Sequence, residues 1–281
     1  MVLTAEIQKS ITDFVYKKPR TVQEIAHLIS KNWRTANSYV DKINQEQGTL
    51  SSRTFREGTR GALKIVFWNN LEKISSTEFQ ERLFKKIEAG KSKSDFSPFD
   101  IYQYVEAKKR RAFLEEQEDE AKTVKQDVAA DVRSAEQQIL IFSSNFSWAN
   151  IVQNNVKLME VFEDAAKRNI SIKILAKVDI TSTNNISKIL SLNHKLGKEA
   201  IEVRHCEQPL RAFVIDSKIA RFKEIKESGK GKTSKKKQYI FYEIYDEEWI
   251  EWIKKVFWNF FRTSISAERR LEDIKSIQKI T

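Results

Sequence analysis

The sequence predicts a multidomain protein of mixed class, α+β at one end and α/β at the other. Three observations carry that expectation. The first third holds short amphipathic helices and then two β-type runs around glycines. From Phe99 to about Gln138 there is neither Gly nor Pro. The last half alternates apolar strand-like runs with amphipathic helices. Boundaries follow at residues 1–70, 71–137 and 138–281 of a 281-residue chain, in keeping with roughly 100–200 residues per domain.

The N-terminal elements come first. Ile7, Ile11, Phe14 and Val15 recur at helical spacing. Thr21 followed three residues later by Glu24 is a capping-box pattern, so a second helix starts there, with Val22, Ile25, Ala26 and Ile29 inward. After a break at Ser30–Asn32, a third helix carries Trp33, Ala36, Val40 and Ile43 as one stripe. Two short helices joined by such a turn form a helix-turn-helix pattern. Leu50, Phe55, Leu63, Ile65 and Phe67 then supply two strands around Gly58 and Gly61. Three helices and a hairpin predict a winged helix. Its turn and third helix offer Lys31, Asn32, Arg34, Thr35, Asn37 and Ser38, short polar or basic groups suited to base edges and phosphates. Its hairpin offers Arg53, Arg56, Arg60 and Lys64 against one acid, Glu57.

Residues 71–137 read as a helical connector. The stretch from Phe99 to about Gln138 is rich in Ala, Glu, Lys and Gln, which suits a long helix. Its apolar residues recur loosely, with the heptad broken around 106–120. It is read either as a coiled coil that makes a homodimer or as a single solvated spacer.

From Gln138 onward the pattern is strand, helix, strand, helix, strand. "QILIFSSN", "ISIKILAK" and "AIEVRHC" are the strands. Two more strands are expected at "RAFVIDSKIARFKEI" and "KKQYIFYEIYD", separated by a Lys-rich stretch within 223–237. That stretch reads either as a solubilising loop or as a second phosphate-binding patch. Trp249, Trp252, Ile253, Val256, Phe257, Phe260 and Phe261 then repeat at helical spacing, which marks core or dimer interface rather than a base-stacking platform.

Composition narrows the function classes. Fifty Lys and Arg oppose 39 Asp and Glu, and the net charge of +11 points to polyanions, nucleic acid above all. One cysteine, Cys206, excludes a disulfide framework and a cysteine-based zinc site within one chain, so neither metal nor cofactor is expected. His205 beside it would face the other side of a strand. No apolar stretch approaches ~18 residues and no leader pattern is present. The expectation is a soluble protein, cytoplasmic and nucleoid-associated, with no membrane partner.

The segment "PLRAFVIDSK", residues 209–218, follows the strand "IEVRH" and resembles the phospholipase D site motif: His, any residue, Lys, four residues, Asp. Setting the motif Asp on Asp216 puts the Lys at Arg211 and the His at Pro209. In that chemistry the histidine attacks phosphorus, and proline has no nitrogen that could do so. The resemblance therefore implies the fold without the nucleophile, so no enzyme is expected. Arg211 and Asp216 become structural residues, paired with each other or a neighbour, or lining a vestigial anion pocket. Winged helix, connector and degenerate phospholipase D-like domain together resemble the TrmB-like family of archaeal transcriptional regulators. That resemblance implies a homodimer that binds double-stranded operator DNA. It implies a small-molecule effector as a further partner, although no sugar-contact motif is matched here. The alternatives are a phospholipase D-like nuclease and a chromatin-type nonspecific DNA binder.

Overall fold

A computed structural model divides the chain into two units, Met1–Lys73 and Ile74–Thr281. It describes residues 3–17, 20–56, 62–68, 77–117, 128–153, 155–226 and 237–278.

The first unit runs α1 (Ala5–Lys17), β1 (Arg20–Thr21), α2 (Val22–Leu28), α3 (Trp33–Gln47), β2 (Leu50–Arg56) and β3 (Ala62–Trp68). The expected capping box starts α2. Glu24 N–H donates to Thr21 Oγ1 at 3.1 Å, and Thr21 N–H donates to Glu24 Oε2 at 2.7 Å. The Thr21 N–H, and then the Thr21 hydroxyl donating to Oε2 at 3.0 Å, hold the Glu24 carboxyl below its ordinary value. Ser30 takes a left-handed φ of 52° after α2, and Lys31 N–H returns to Ala26 O at 3.0 Å, which turns the chain into α3. Antiparallel β1, β3 and β2 form a sheet in that order. Ile11, Val15, Val22, Ile25, Ala36, Val40, Ile43, Leu50 and Val66 share one core. Trp33, expected in the α3 stripe, is 43% exposed, and Tyr39 takes the inward place.

The second unit runs α4 (Glu78–Ala89), α5 (Phe99–Tyr102), β4 (Arg110–Gln117), α6 (Val128–Ser134), β5 (Gln138–Ser143), β6 (Val152–Gln153), β7 (Val156–Lys157), α7 (Leu158–Lys167) and β8 (Ser171–Ala176). It continues with α8 (Thr183–Leu196), β9 (Ile201–His205), β10 (Ala212–Ile215), β11 (Ile219–Lys226), β12 (Lys237–Ile244), α9 (Glu247–Thr263), β13 (Ile265–Ser266) and α10 (Ala267–Gln278). Eight strands form one sheet in the order β13-β9-β8-β5-β10-β11-β12-β4. The β5–β8 and β8–β9 pairs are parallel and the others antiparallel. Strand alternation sends Ile139 and Ile141 to a core with α6, α7, α8 and α10, and Leu140 and Phe142 to a core with α4, α5 and α9.

The expected long helix from Phe99 to about Gln138 is not present over the described residues. That stretch holds α5, a 3-10 turn at Ala107–Lys109 and α6, and residues 110–117 form β4, with 118–127 outside the described residues. Helix propensity is a weak prior, and strand pairing overrides it. β4 lies along β12, with Phe113 opposite Phe241 and their rings 5.3 Å apart. Leu83, Ile87, Phe96, Ile101 and Val105 enter the same core as α9, so this segment packs as part of the C-terminal unit. A second correction concerns residues 211–225. They form two strands, β10 and β11, with a turn at Asp216–Lys218. The α9 stripe is core: Trp252, Ile253, Val256, Phe257 and Phe261 are buried, and so is Trp258. Among the described residues no helix is long and apolar enough to cross a membrane.

The loop after α4 carries a pH-sensitive tie. Asp95 accepts the backbone N–H groups of Lys91 and Ser92, each at 2.9 Å, and then the Ser92 hydroxyl at 2.9 Å. These bonds pull its carboxyl from 3.8 to about 2. With a depressed folded value, the stabilisation is complete above 3.8 and is lost as pH falls through about 2. Asp95→Asn should therefore melt lower than wild type at neutral pH, and the gap should close on acidification to about 2. Melting curves of both proteins across that range check it.

Candidate nucleic-acid interface and sheet-end pocket

Helix α3 has two unlike faces. Ala36, Tyr39, Val40 and Ile43 are buried, while Lys31, Asn32, Arg34, Ser38, Asp41 and Lys42 are exposed along the turn and the outer side. Of the expected contact residues, Lys31, Arg34 and Ser38 keep their side chains on this surface. Asn32 is the cap of α3: its Oδ1 accepts Thr35 N–H at 2.9 Å. Asn37 and Lys64 have partners within the unit. Lys64 Nζ donates to Asn37 Oδ1 at 2.7 Å and to Asp41 Oδ1 at 3.0 Å, and Asn37 Nδ2 donates to Asp41 Oδ2 at 2.8 Å. The backbone of Arg53 and Arg56 lies in β2, while their side chains and all of Arg60 lie outside the described residues.

Asp41 was not among the expected contact residues, and Lys64, which was, is tied to it. The signal for Lys64 was its spacing. It stands two residues before buried Val66 on β3, so alternation puts both on the inner side of the strand, toward α3.

In the second unit, the motif-bearing segment spans both ends of β10. Asp216 is buried in the turn with φ 51°. Its carboxylate accepts backbone N–H from Glu136 at 3.0 Å, Gln137 at 2.9 Å and Gln138 at 2.9 Å. Arg211 lies at the opposite end, where Nη2 donates to Ser144 Oγ at 2.8 Å. The expected mutual pairing of Arg211 with Asp216 is therefore absent, because the whole of β10 separates them. Asp216 is tied to backbone groups, and among the described residues the cation paired with it is Lys218, Nζ at 4.0 Å.

Pro209 is buried, and Gly90 at the end of α4 presses on it. A Cβ built on Gly90 would lie 2.8 Å from Pro209 Cγ. Gln208, also buried, donates to Ser143 O at 3.1 Å and accepts Leu210 N–H at 2.6 Å. Next to this plug a pocket opens at the carboxyl end of β5, lined by Phe142, Ser144, Trp148, Arg211, Phe213 and Lys223 among others. The parallel series β5–β8–β9 lies to one side of β5 and antiparallel β10 to the other, so this is the switch point where open α/β sheets leave a crevice. Lys223 Nζ sits 4.5 Å from the Tyr239 ring centre. No histidine lines the pocket among the described residues. His205 ends β9, three strand spacings or ~14 Å from β10. Its Nδ1 accepts Val178 N–H at 2.9 Å, and burial pushes its pKa down. Cys206 is half-buried, and burial pushes its thiol up, away from a thiolate nucleophile. Among the described residues no cluster of three His, Cys, Asp or Glu side chains is placed to hold a metal ion.

No family model and no curated protein sequence matches the chain. Solved structures show distant likenesses. Nuc from Salmonella typhimurium, a phospholipase D family member, is 11% identical over 56% of this chain and 97% of its own, with a TM-score of 0.39. NucT from Helicobacter pylori is 14% identical over 56% and 99%, with a TM-score of 0.41. TrmBL2, described as an archaeal chromatin protein with a novel mode of DNA binding, is 15% identical over 94% of each chain, with a TM-score of 0.39. Likenesses this distant decide nothing about activity, and the residues themselves must carry the function.

Two substitutions test the geometry around β10. Asp216→Ala should cost about 3 kcal/mol in urea unfolding, since it leaves three N–H groups without their charged acceptor, and Asp216→Asn should cost less. Gly90→Ala should cost about 1–3 kcal/mol through overpacking, with part recovered when Pro209→Ala is added.

Proposed function

We propose that the chain is a DNA-binding transcription regulator that reads duplex DNA with a winged helix in its first unit and does no phosphodiester chemistry in its second. The observation that carries the reading is the division of α3. Its inner face is committed to the core, while Lys31, Arg34 and Ser38 remain exposed on the outer side. A helix of this kind enters the major groove by its N-terminal residues, and the basic hairpin lies on backbone or minor groove. The formal charge of +11 supports approach to a polyanion.

For the second unit, the absence of turnover is supported by Pro209, which supplies no nucleophile and is buried under Gly90. His205, the nearest histidine in sequence, is turned to Val178. The pocket at the end of β5 combines apolar walls with a few polar groups, the composition suited to a small effector. As a homodimer the protein would place two α3 helices on half-sites about 34 Å apart. That dimer would not use a continuous coiled coil over residues 99–117, where the four-residue α5 gives way to a 3-10 turn and then to β4.

Arg34→Ala with Arg60→Ala should weaken binding to duplex DNA, and removing each phosphate-binding cation should lower the salt slope of log K by about 0.9. Fluorescence anisotropy at controlled salt measures both, and unchanged affinity rejects the reading. Mapping of bound genomic sites separates a regulator, with discrete palindromes, from a chromatin-type binder with broad coverage.

A further inference from the structure

The outer face of α3 carries a carboxylate where a DNA-facing helix would meet phosphates. Asp41 is 50% exposed, one helical turn beyond Asn37. Lys64, only 17% exposed, reaches it from β3. The three side chains close on one another: ammonium to amide oxygen at 2.7 Å, amide nitrogen to carboxylate at 2.8 Å, ammonium to carboxylate at 3.0 Å. An ammonium can only donate and a carboxylate can only accept. One orientation of the Asn37 amide satisfies both, with oxygen toward Lys64 and nitrogen toward Asp41.

We propose that Asn37, Asp41 and Lys64 form a charge-compensating clasp, in which Lys64 is a positioning residue and not a phosphate contact. The clasp rests on the reading of α3 as the DNA-facing helix. It does two things there. It neutralises Asp41, so that the face does not repel the backbone. It also fixes the Asn37 amide, leaving its second lone pair and second N–H for a base edge; that donor–acceptor pair suits adenine. Lys64 can do this because β3 alternation turns it toward α3, whereas its sequence neighbourhood of arginines suggests an outward cation.

The test uses the full chain, a labelled duplex and a salt series. Lys64→Met should weaken binding about tenfold or more, by exposing an uncompensated carboxylate to the phosphates. Adding Asp41→Asn should return affinity to within about threefold of wild type, because the two sites act as one unit. The double variant should keep the wild-type salt slope. If Lys64 instead binds phosphate, its removal would lower the slope by about 0.9 without rescue, and that result overturns the clasp. Asp41→Asn alone, which removes no cation, should bind at least as tightly as wild type, and weaker binding likewise overturns it. This single variant carries the test if a melting curve shows Lys64→Met to be unfolded. If Arg34→Ala weakens binding while folded Lys64→Met does not, the clasp alone fails. If the wild-type chain binds no duplex at low salt, the DNA reading fails and the clasp with it.

Discussion

The Asp216 carboxylate is the contact on which the larger unit depends. It takes three backbone N–H groups at residues 136–138, and its own N–H returns to Gln138 O at 3.0 Å. The β10–β11 turn is thereby tied to the start of β5 in both directions. β5 is the strand on which two kinds of pairing meet, parallel with β8 and antiparallel with β10. A slip of one residue there would exchange Ile139 and Ile141 with Leu140 and Phe142 between two different cores. The charged turn therefore sets the register that keeps both faces apolar. Asp216 adopts a positive φ to do so, a conformation that Asp and Asn tolerate better than most residues.

The other end of β10 is sealed by packing. Gln208 satisfies two backbone groups while buried, Pro209 fills the space beneath Gly90, and Arg211 is held by Ser144. Proline suits this place because it adds apolar volume and no backbone donor. The neighbouring pocket keeps cationic and hydroxyl groups beside apolar walls.

The first unit meets a different constraint: one short helix must be apolar inside while its outer polar groups find partners or solvent. Side chains with local duties use part of the outer surface. Asn32 caps the helix, and Asn37 and Lys64 are tied to Asp41. Lys31, Arg34 and Ser38 keep their side chains exposed on that surface. Short-range electrostatics inside the unit decide which polar residues are available, and a count of cations along the sequence does not.

Periodicity and caps alone made several elements legible. Thr21 and Glu24 begin α2, the 3.6-residue stripes mark α2, α7 and α9, and the apolar runs mark β5, β8 and β9. These signals are local, because each depends on residues within one or two turns. In β10, Phe213 and Ile215 face one core and Ala212 and Val214 the other, since strand alternation is local too. The strand at 110–117 was not legible, because its hydrogen bonds come from β12, more than a hundred residues away, and its own composition favours helix. The hairpin at Asp216 was hidden because its turn contains no Gly or Pro, and the carboxylate that stabilises it finds its donors about eighty residues earlier. Lys64 looked like one more basic residue of a hairpin until β3 and α3 were brought side by side. The order of residues alone specifies which stretches bury an apolar face, and it alone puts Pro209 where the resembled motif has a histidine. Which polar groups answer one another follows only from the folded arrangement, because pairing energy depends on distances of about 3 Å that separation along the chain does not specify.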